Sequence, residues 1–445
     1  MKNDEVKTNR RTFVKQTTML AGGLMAAPLM SEARYFNSSA DDTIKIALIG
    51  CGGRGTGAAM QALLSKQNVK LVAMADAFKD RLDNCYKLLT DENNEDGNVK
   101  AKVNVPEANR FVGFDAYMKA IPLADVVILT TPPGFRPIHF TEAVRQGKHI
   151  FMEKPVATDP AGVKKVLEAA EIAKQKKLNV VVGLQRHYQN SYRELYKRVQ
   201  DGMLGEITSG QVWWNNDGVW VNLRQPNQTE MEYQMRNWYY FNWLCGDHIN
   251  EQHIHNIDVM NWFKGGYPVK AQGMGGRQVR TGKEYGEIYD HHYVEFQYAD
   301  GTILNSQCRH IKGTYAKVDE QIVGTKGTMF ANDANIVSKG KVLYQYNKKE
   351  NEPDPYQTEH DELFAAIAKG VYKFADAENG AKSTMTSIMG RMATYSGQII
   401  EWEKAINSGL NIMPSTFAFD AKPPVLPDAN GFYPIATPGV TKFLM

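Results

Sequence analysis

A glycine-rich turn between an apolar run and a helix-forming segment constrains the fold of this 445-residue chain more than any other feature. The run Ile44 to Ile49 is rich in β-branched residues and predicts a buried strand, and the segment Ala58 to Leu64 predicts a helix. Between them Gly50, Gly52 and Gly55 have the spacing G-x-G-x-x-G. In that pattern the first glycine permits a tight turn, the second lets a pyrophosphate approach the backbone, and the third lets the helix pack closely on the strand.

A carboxylate after the next strand strengthens this interpretation. The second predicted strand, Lys70 to Ala75, ends at Asp76, where a carboxylate accepts hydrogen bonds from the adenosine ribose and repels a 2′-phosphate. NAD is therefore favoured over NADP, although Lys79 and Arg81 could accommodate the phosphate and leave NADP as the alternative. We expect the cofactor to contact Gly50, Gly52, Gly53, Arg54, Gly55 and Asp76.

The pattern of alternating strands and helices continues and predicts a doubly wound parallel sheet, an α/β fold with an NAD(P)-binding Rossmann domain over residues 42–184. Ligands of such sheets bind at the carboxyl ends of the strands. Strands are predicted at Asp125 to Thr130 and Lys148 to Met152, so Thr131, Pro132, Glu153 and Lys154 become further candidates for cofactor contact. A helix from Ala161 to Lys177 and a strand from Asn179 to Leu184 complete this domain.

A different pattern begins at Gln185 and predicts a second domain over residues 185–445, of the α+β class with an open, mostly antiparallel sheet. Its strands are expected at Ile207 to Trp213, Tyr293 to Tyr298, Ile303 to Cys308 and Glu320 to Gly324. Two helices are expected near the end, Glu359 to Lys369 and Lys382 to Asn407. The proline-rich tail after Pro414 is expected to wrap over another surface.

The amino terminus predicts a targeting segment over residues 1–33. Arg10-Arg11, followed by Phe13, Val14 and Lys15, resembles a twin-arginine export signal, which implies a periplasmic location. The apolar run from 17 to 30 is too short to span a bilayer, so no stable membrane span is expected. The alternative, a basic amphipathic helix that stays on the protein, is disfavoured by the Gly22-Gly23 pair and Pro28 within the run.

Charge and cysteine content exclude other classes of protein. The 52 lysines and arginines against 49 aspartates and glutamates give a formal charge of only +3, and no basic run suggests nucleic acid as a partner. The four cysteines are widely separated and form no C-x-x-C, so neither a zinc ribbon nor a dense disulfide framework is predicted.

Three segments together resemble a known family. They are the turn Gly50 to Gly55, the triplet Glu153-Lys154-Pro155, and the segment Gly246 to Asp258. In order and spacing they resemble the glucose-fructose oxidoreductase, inositol dehydrogenase and rhizopine-catabolism family, called Gfo/Idh/MocA. The resemblance covers about residues 42–407 and implies a two-domain oxidoreductase that acts on sugars or cyclitols. It also implies a homo-oligomer built on the sheet of the second domain.

The resemblance also implies individual roles. Lys154 matches the family lysine that meets both nicotinamide and substrate, and His255 matches the histidine that ends the pattern D-x-x-x-H. Glu251 stands four residues before this histidine, where many members have aspartate, so the carboxylate here is one methylene further from the backbone.

The chemistry of hydride transfer gives these residues the same roles. Oxidation of a carbinol needs a base near its hydroxyl, and a histidine is suited to this near neutral pH. On one helix Glu251 and His255 would be four residues apart on a shared face, so that Glu251 could orient the imidazole or hold a neighbouring hydroxyl. Lys154 could stabilise the developing alkoxide. The alternatives are a surface lysine and a hydrogen-bonded core histidine.

Other polar and aromatic residues are candidates for substrate contact. Arg186 and His187 are expected to enter the cleft from the domain junction, with His248 and Trp238 as further candidates. The histidines of this region also allow a metal site, with Glu251, His253, His255 and the run Asp290-His291-His292 as further ligands, but no H-E-x-x-H is present, and we expect no metal.

The sequence therefore predicts an NAD(P)-dependent oxidoreductase acting on a secondary alcohol of a sugar, cyclitol or glycoside, with a tightly bound cofactor. Export favours retention, because no free nicotinamide pool is expected outside the inner membrane. One alternative is redox-assisted glycoside cleavage, in which transient oxidation acidifies the adjacent C–H and the retained hydride restores the sugar. The others are a non-catalytic carbohydrate-binding protein and a metal-dependent hydrolase.

Overall fold

The computed structural model describes residues 43–350 and 352–443. The predicted export signal, residues 1–33, lies outside the described residues. In the part of the chain that is described, no helix is both long enough and apolar enough to cross a membrane.

A six-stranded parallel sheet forms the first domain, with the strand order β3-β2-β1-β4-β5-β6. This is the order of a Rossmann fold, and it confirms the predicted fold class. The strands are β1 (Ile44–Ile49), β2 (Val69–Asp76), β3 (Arg110–Val112), β4 (Val126–Leu129), β5 (His149–Met152) and β6 (Val180–Val182). The helices between them are α1 (Gly53–Leu64), α2 (Lys79–Leu89), α3 (Ala116–Ala120), α4 (Arg136–Arg145) and α5 (Pro160–Gln175).

The central strands are buried on both faces, which explains why their sequences are continuous apolar runs and do not alternate between apolar and polar residues. Every residue of β4 is buried, and Ile46, Ala47 and Leu48 of β1 are fully inaccessible to solvent. Gly50, Asp76 and Thr131 lie at or just after the carboxyl ends of β1, β2 and β4. Because these strands are parallel, the three residues lie at the same edge of the sheet.

The second domain contains a nine-stranded sheet in the order β14-β13-β12-β11-β7-β10-β9-β8-β15. Only the β7–β10 pair is parallel among the strand pairings described, so the sheet is mostly antiparallel, as predicted. Its strands are β7 (Ile207–Asn216), β8 (Lys270–Gly276), β9 (His291–Gln297), β10 (Ile303–His310), β11 (Lys317–Gly324), β12 (Thr328–Phe330), β13 (Asn335–Ser338), β14 (Lys341–Gln345) and β15 (Ile400–Glu401).

Eight helices accompany this part of the described chain: α6 (Asn190–Gln200), α7 (Glu230–Arg236), α8 (Asn242–Cys245), α9 (His248–Glu251), α10 (Ile254–Lys264), α11 (Pro355–Ala368), α12 (Ala377–Ser396) and α13 (Trp402–Ile406). α11 returns to the first domain, where Leu363, Phe364 and Ile367 share a buried cluster with β1 and α1. α12 packs against both α5 and β8 and so joins the two domains.

The prediction of one helix from Lys382 to Asn407 is wrong. α12 ends at Ser396 because Gly397 takes the left-handed conformation, with φ at 69°. The chain then adds the short edge strand β15 to the second sheet before α13 begins. The tail after α13, residues 407–443, runs over both domains, as the wrapping prediction requires.

Candidate active site

The glycine turn has the stereochemistry that its spacing predicts. Gly50 has φ at +98°, and a Cβ there would lie 2.6 Å from the backbone nitrogen of Thr131. A Cβ on Gly55 would overlap the carbonyl oxygen of Gly50, so this glycine lets α1 pack on β1. Gly52 and Gly53 face open space, where a Cβ would meet no atom within 4 Å. The turn therefore leaves room for a ligand at the start of α1, whose backbone N–H groups favour an anion.

A cleft of about 460 Å³ opens in front of this turn. Its size is within the range of small-molecule and cofactor sites. The first domain contributes the five predicted glycine-turn residues Gly50, Gly52, Gly53, Arg54 and Gly55, together with Asp76, Phe78, Arg81, Phe114, Thr131, Pro132 and Phe135, among others. The second domain contributes Trp220, Asn222, Met235, Arg236 and Trp238. The cleft thus brings together the predicted dinucleotide contacts of the first domain and Trp238 of the second.

Asp76 is fixed at the end of β2 by two backbone donors. Its carboxylate accepts hydrogen bonds from the Cys51 nitrogen at 2.6 Å and the Phe78 nitrogen at 2.8 Å. Burial raises the pKa of Asp76, and the two backbone hydrogen bonds counteract that effect. Arg81 lines the same cleft, whereas Lys79 pairs with Asp83 on the exposed side of α2. The carboxylate of Asp76 therefore lines the cleft, and its contact with the ribose hydroxyls of a nucleotide stays a prediction.

Glu153 and Lys154 follow β5 directly, and neither lines the cleft. Glu153 is buried and pairs with Arg54 of the glycine turn, which also contacts Glu359 of α11 at 3.3 Å. A Cβ on Gly183 would lie 2.8 Å from the Glu153 carboxylate, so the neighbouring strand leaves space for this side chain. The direct cofactor contacts of Glu153 and Lys154 stay a prediction.

Lys154 reaches across the domain junction to Glu251. Its ammonium donates to the Glu251 carbonyl oxygen at 2.5 Å and to Oε1 of the same residue at 3.1 Å. Both side chains are 13% exposed. This pairing fixes the direction of the ammonium and brings residues 97 positions apart in the chain into one site.

His255 lies beside this pair as a neutral base. It is 5% exposed, its ring stacks on Trp214 with centroids 5.9 Å apart, and Nδ1 has no hydrogen-bond partner within the described residues. Burial lowers the pKa of His255 well below its usual range, and the nearby charges of Lys154 and Arg186 lower it further. The imidazole is therefore uncharged near neutral pH and can accept a proton.

The prediction that Glu251 and His255 share one helix face is wrong. α9 ends at Glu251 and α10 begins at Ile254, because the amides of Gln252 and His253 both donate to the carbonyl of His248, at 3.0 and 3.1 Å. This breaks the regular ladder of hydrogen bonds four residues apart. Glu251 consequently orients Lys154 rather than the imidazole.

Arg186 and His187 contact groups of the second domain instead of lining the cleft. Arg186 pairs with Glu320 at 2.6 Å. His187 pairs with Asp258 at 2.7 Å and stacks on Trp262 with centroids 4.1 Å apart. Burial lowers the pKa of His187, but the Asp258 carboxylate outweighs it, so that the net shift is upward. They do not line the described cleft, and their contact with the substrate stays a prediction.

His248 belongs to a buried polar cluster with Asp247 and His292, a group whose atoms could hold a metal. His248 Nδ1 lies 2.8 Å from Asp247 Oδ1, and His292 Nε2 lies 3.2 Å from Asp247 Oδ2. The same carboxylate already accepts from the Tyr289 nitrogen at 3.0 Å and the Tyr395 hydroxyl at 2.5 Å. These contacts occupy its lone pairs, so the cluster is suited to a hydrogen-bonded network. The absence of a metal stays a prediction.

Several residues that line the cleft were not predicted from the sequence. Arg236 hydrogen-bonds to Asp80, and Phe78 and Phe114 form the aromatic wall near Asp76. No local spacing signals these contacts, because the Arg236–Asp80 pair is separated by 156 positions. Phe78 could have been suspected from its place just after the carboxylate that follows β2.

Comparison with known proteins agrees with this geometry. Residues 44–184 match the family model for the Gfo/Idh/MocA oxidoreductase family with an NAD-binding Rossmann fold, and residues 192–330 match the model for the C-terminal domain of the same family. An inositol 2-dehydrogenase of Rhizobium meliloti is 24% identical over 300 residues, which are 66% of this chain and 78% of that protein.

Solved structures share the fold. An aldose-aldose oxidoreductase from Caulobacter crescentus, in complex with glycerol, superposes with a TM-score of 0.62 at 18% identity, over 81% of this chain and 99% of that one. A scyllo-inositol dehydrogenase from Lactobacillus casei, with bound NAD(H) and scyllo-inositol, gives a TM-score of 0.61 at 21% identity over the same shares. With both domains matched in order by its own models, the chain belongs to the Gfo/Idh/MocA family of NAD-binding oxidoreductases.

Proposed function

We propose that this protein oxidises a secondary alcohol of a sugar, cyclitol or glycoside with NAD bound in the cleft. The observation that carries the proposal is the buried group at the domain junction, in which Lys154 is held by Glu251 beside the neutral imidazole of His255. Relatives named inositol 2-dehydrogenase and a structural neighbour that binds scyllo-inositol support polyols as the substrate class.

The cleft residues fit the cofactor. Gly52 and Gly53 leave open space at the amino end of α1, which suits a pyrophosphate, and Asp76 suits the ribose. When bound, NAD supplies a nicotinamide ring that takes up a hydride from the substrate carbon.

Residues of the protein take up the hydroxyl proton of the substrate and stabilise the negative charge on its oxygen. His255 accepts the hydroxyl proton as the C–H bond breaks, because its imidazole is neutral near neutral pH. The ammonium of Lys154 stabilises the negative charge that develops on the substrate oxygen. Glu251 aims that ammonium by binding it through both its carbonyl and its carboxylate.

We also propose that the protein is periplasmic and forms a homo-oligomer. The arginine pair at residues 10–11 supports export of the folded, cofactor-loaded protein to the periplasm. Family resemblance supports a homo-oligomer built on the second sheet. Separating a purified full chain by size and fractionating cells that express it would test both statements.

Substitution of the base tests the proposed chemistry. Purified protein loaded with NAD is mixed with a panel of inositols, aldoses and aryl glycosides, and absorbance of NADH and product formation are followed. We expect His255→Ala to lower turnover by about 10²- to 10⁴-fold while the nucleotide stays bound. His291→Ala, whose side chain is 40% exposed, is the matched control and should retain turnover.

The outcomes separate the candidate functions. Net NADH formation indicates dehydrogenation. Glycoside cleavage without net NADH, with solvent deuterium entering the carbon beside the oxidised one, indicates redox-assisted cleavage. If the wild-type protein binds NAD and a sugar but turns over none of the panel, the oxidoreductase proposal fails and a carbohydrate-binding role replaces it.

A further inference from the structure

We propose that the C-terminal strap, residues 407–443, and helix α7 hold the walls of the nucleotide site in place and keep NAD bound between turnovers. This inference rests on the proposed function, because it takes the cleft at the glycine turn as the NAD site. The strap lies outside both family models, which end at residues 184 and 330.

The strap supports the aromatic wall of the cleft from behind. Phe78, Phe114 and Phe135 line the cleft. The ring of Phe419 lies 5.2 Å from that of Phe78 and 4.9 Å from that of Phe114, and Phe417 lies 5.4 Å from Phe135. Neither strap phenylalanine is among the cleft-lining residues, so both act as positioning residues for the wall.

A salt bridge between Arg236 and Asp80, called the latch below, lies at the same end of the cleft. Arg236, the last residue of α7, donates two hydrogen bonds to Asp80, at 2.7 and 3.0 Å, and its guanidinium carbon lies 3.9 Å from the centre of the Phe78 ring. Asp80 lies in the first turn of α2, just after Asp76. The latch therefore joins the second domain to the first beside the residue expected to hold the adenosine ribose. Two parallel N–H···O bonds make this the stronger geometry for such a pair.

The strap and α7 are tied together along their length. The hydroxyl of Thr229, which caps α7, donates to the carbonyl of Phe419. Gln234 Nε2 donates to the carbonyl of Val425 at 2.7 Å, and the hydroxyl of Tyr433 donates to Glu230. Lifting α7 from the first domain therefore disturbs the strap as well.

The second domain encloses the cleft from the side opposite the glycine turn. Five residues of that domain line the cleft: Trp220, Asn222, Met235, Arg236 and Trp238. A nucleotide held between these residues and the glycine turn leaves only after the Arg236–Asp80 pair separates and α7 moves. Release is then slow compared with turnover, which suits redox-neutral chemistry on a retained cofactor.

The rate of nucleotide release tests the inference. The full chain is loaded with NADH, mixed with excess NAD, and the decay of NADH fluorescence is followed. Asp80→Asn removes the charge of the latch and Phe419→Ala removes the support of the wall. We expect each to accelerate release about fivefold to tenfold relative to wild type, and the double variant to accelerate it further.

The control is Asp83→Asn, an exposed carboxylate on the same helix that pairs only with Lys79 among the described residues. It should release NADH at the wild-type rate. The melting temperature of each variant without nucleotide identifies general destabilisation. Equal release rates in all variants, with NADH bound, would overturn the strap inference and leave the proposed function intact. A wild-type chain that binds no NAD(H) would overturn the proposed function itself.

Discussion

At the scale of single residues, Glu251 determines where the ammonium of Lys154 points. The resemblance places a carboxylate at this position, but only the folded chain shows that it contacts the lysine rather than the histidine. The backbone carbonyl and the side chain of Glu251 both accept hydrogen bonds from the Lys154 ammonium across the junction between the domains.

Replacing Glu251 by glutamine is expected to lower kcat about 10- to 100-fold without weakening NADH binding. The amide keeps an acceptor for Lys154 but loses the negative charge that makes the hydrogen bond strong. Steady-state kinetics and NADH fluorescence titration measure the two effects. Equal loss of kcat and of NADH affinity would contradict the assigned role, and Glu251→Asp serves as the charge-retaining comparison.

Two glycines of the turn should respond differently to alanine. At Gly52 an added Cβ meets no protein atom within 4 Å, and the φ of −72° is ordinary for any residue, so Gly52→Ala should fold normally. It should bind NADH at least tenfold more weakly, because the added methyl group lies where the pyrophosphate is expected to approach the backbone. At Gly55 the Cβ overlaps the Gly50 carbonyl, so Gly55→Ala should lower the melting temperature. Fluorescence titration and thermal unfolding distinguish the two cases. Unchanged NADH affinity in Gly52→Ala would place the pyrophosphate elsewhere.

At the scale of elements, α11 shows how the chain after the second sheet completes the first domain. Its apolar side covers the sheet beside α1, and its Glu359 reaches Arg54 of the glycine turn. The sequence predicted the helix from its apolar spacing, but the surface that it covers depends on a contact across some three hundred positions.

Truncation of Phe364 to alanine is expected to destabilise the folded chain by about 3 to 5 kcal/mol, because the ring is fully buried in the cluster with β1 and α1. The loss should appear in the urea midpoint of the first domain. Val371→Ala, at a residue 50% exposed just after the same helix, is the control and should cost little. A cost near zero for Phe364→Ala would contradict the docking of α11.

At the scale of the whole molecule, buried histidines link stability to pH. Burial lowers the pKa of six fully or almost fully buried histidines: His139, His248, His253, His255, His310 and His360. The values fall to about 3 for His139 and His253 and to about 4 for His248. These side chains stay neutral in the folded state, whereas in the unfolded chain they titrate near 6.5.

The folded protein should therefore lose stability as the pH falls below about 6.5, where the unfolded chain begins to bind protons that the folded chain does not. At pH 5.5 each depressed histidine contributes a loss of roughly 1.4 kcal/mol. Burial raises the pKa of Glu287 to about 7 and that of Glu359 well above its usual range, and it also raises the pKa of Asp76, Asp159, Glu320 and Asp376. These carboxyls offset part of the loss, because the folded state gains their protons first. Melting temperatures between pH 5 and 8 check the slope, and a stability that rises steadily towards pH 5 would contradict it.

The sequence by itself determined the parallel sheet, the glycine turn and the carboxylate after β2, because each depends on spacing within a few residues and on burial of one chain segment. It also placed Lys154, Glu251 and His255 in one region through the resemblance. The tertiary structure alone decided that Glu251 binds Lys154 and that Arg236 meets Asp80. Such contacts depend on how separate elements pack across long stretches of chain, and local periodicity carries no record of that packing.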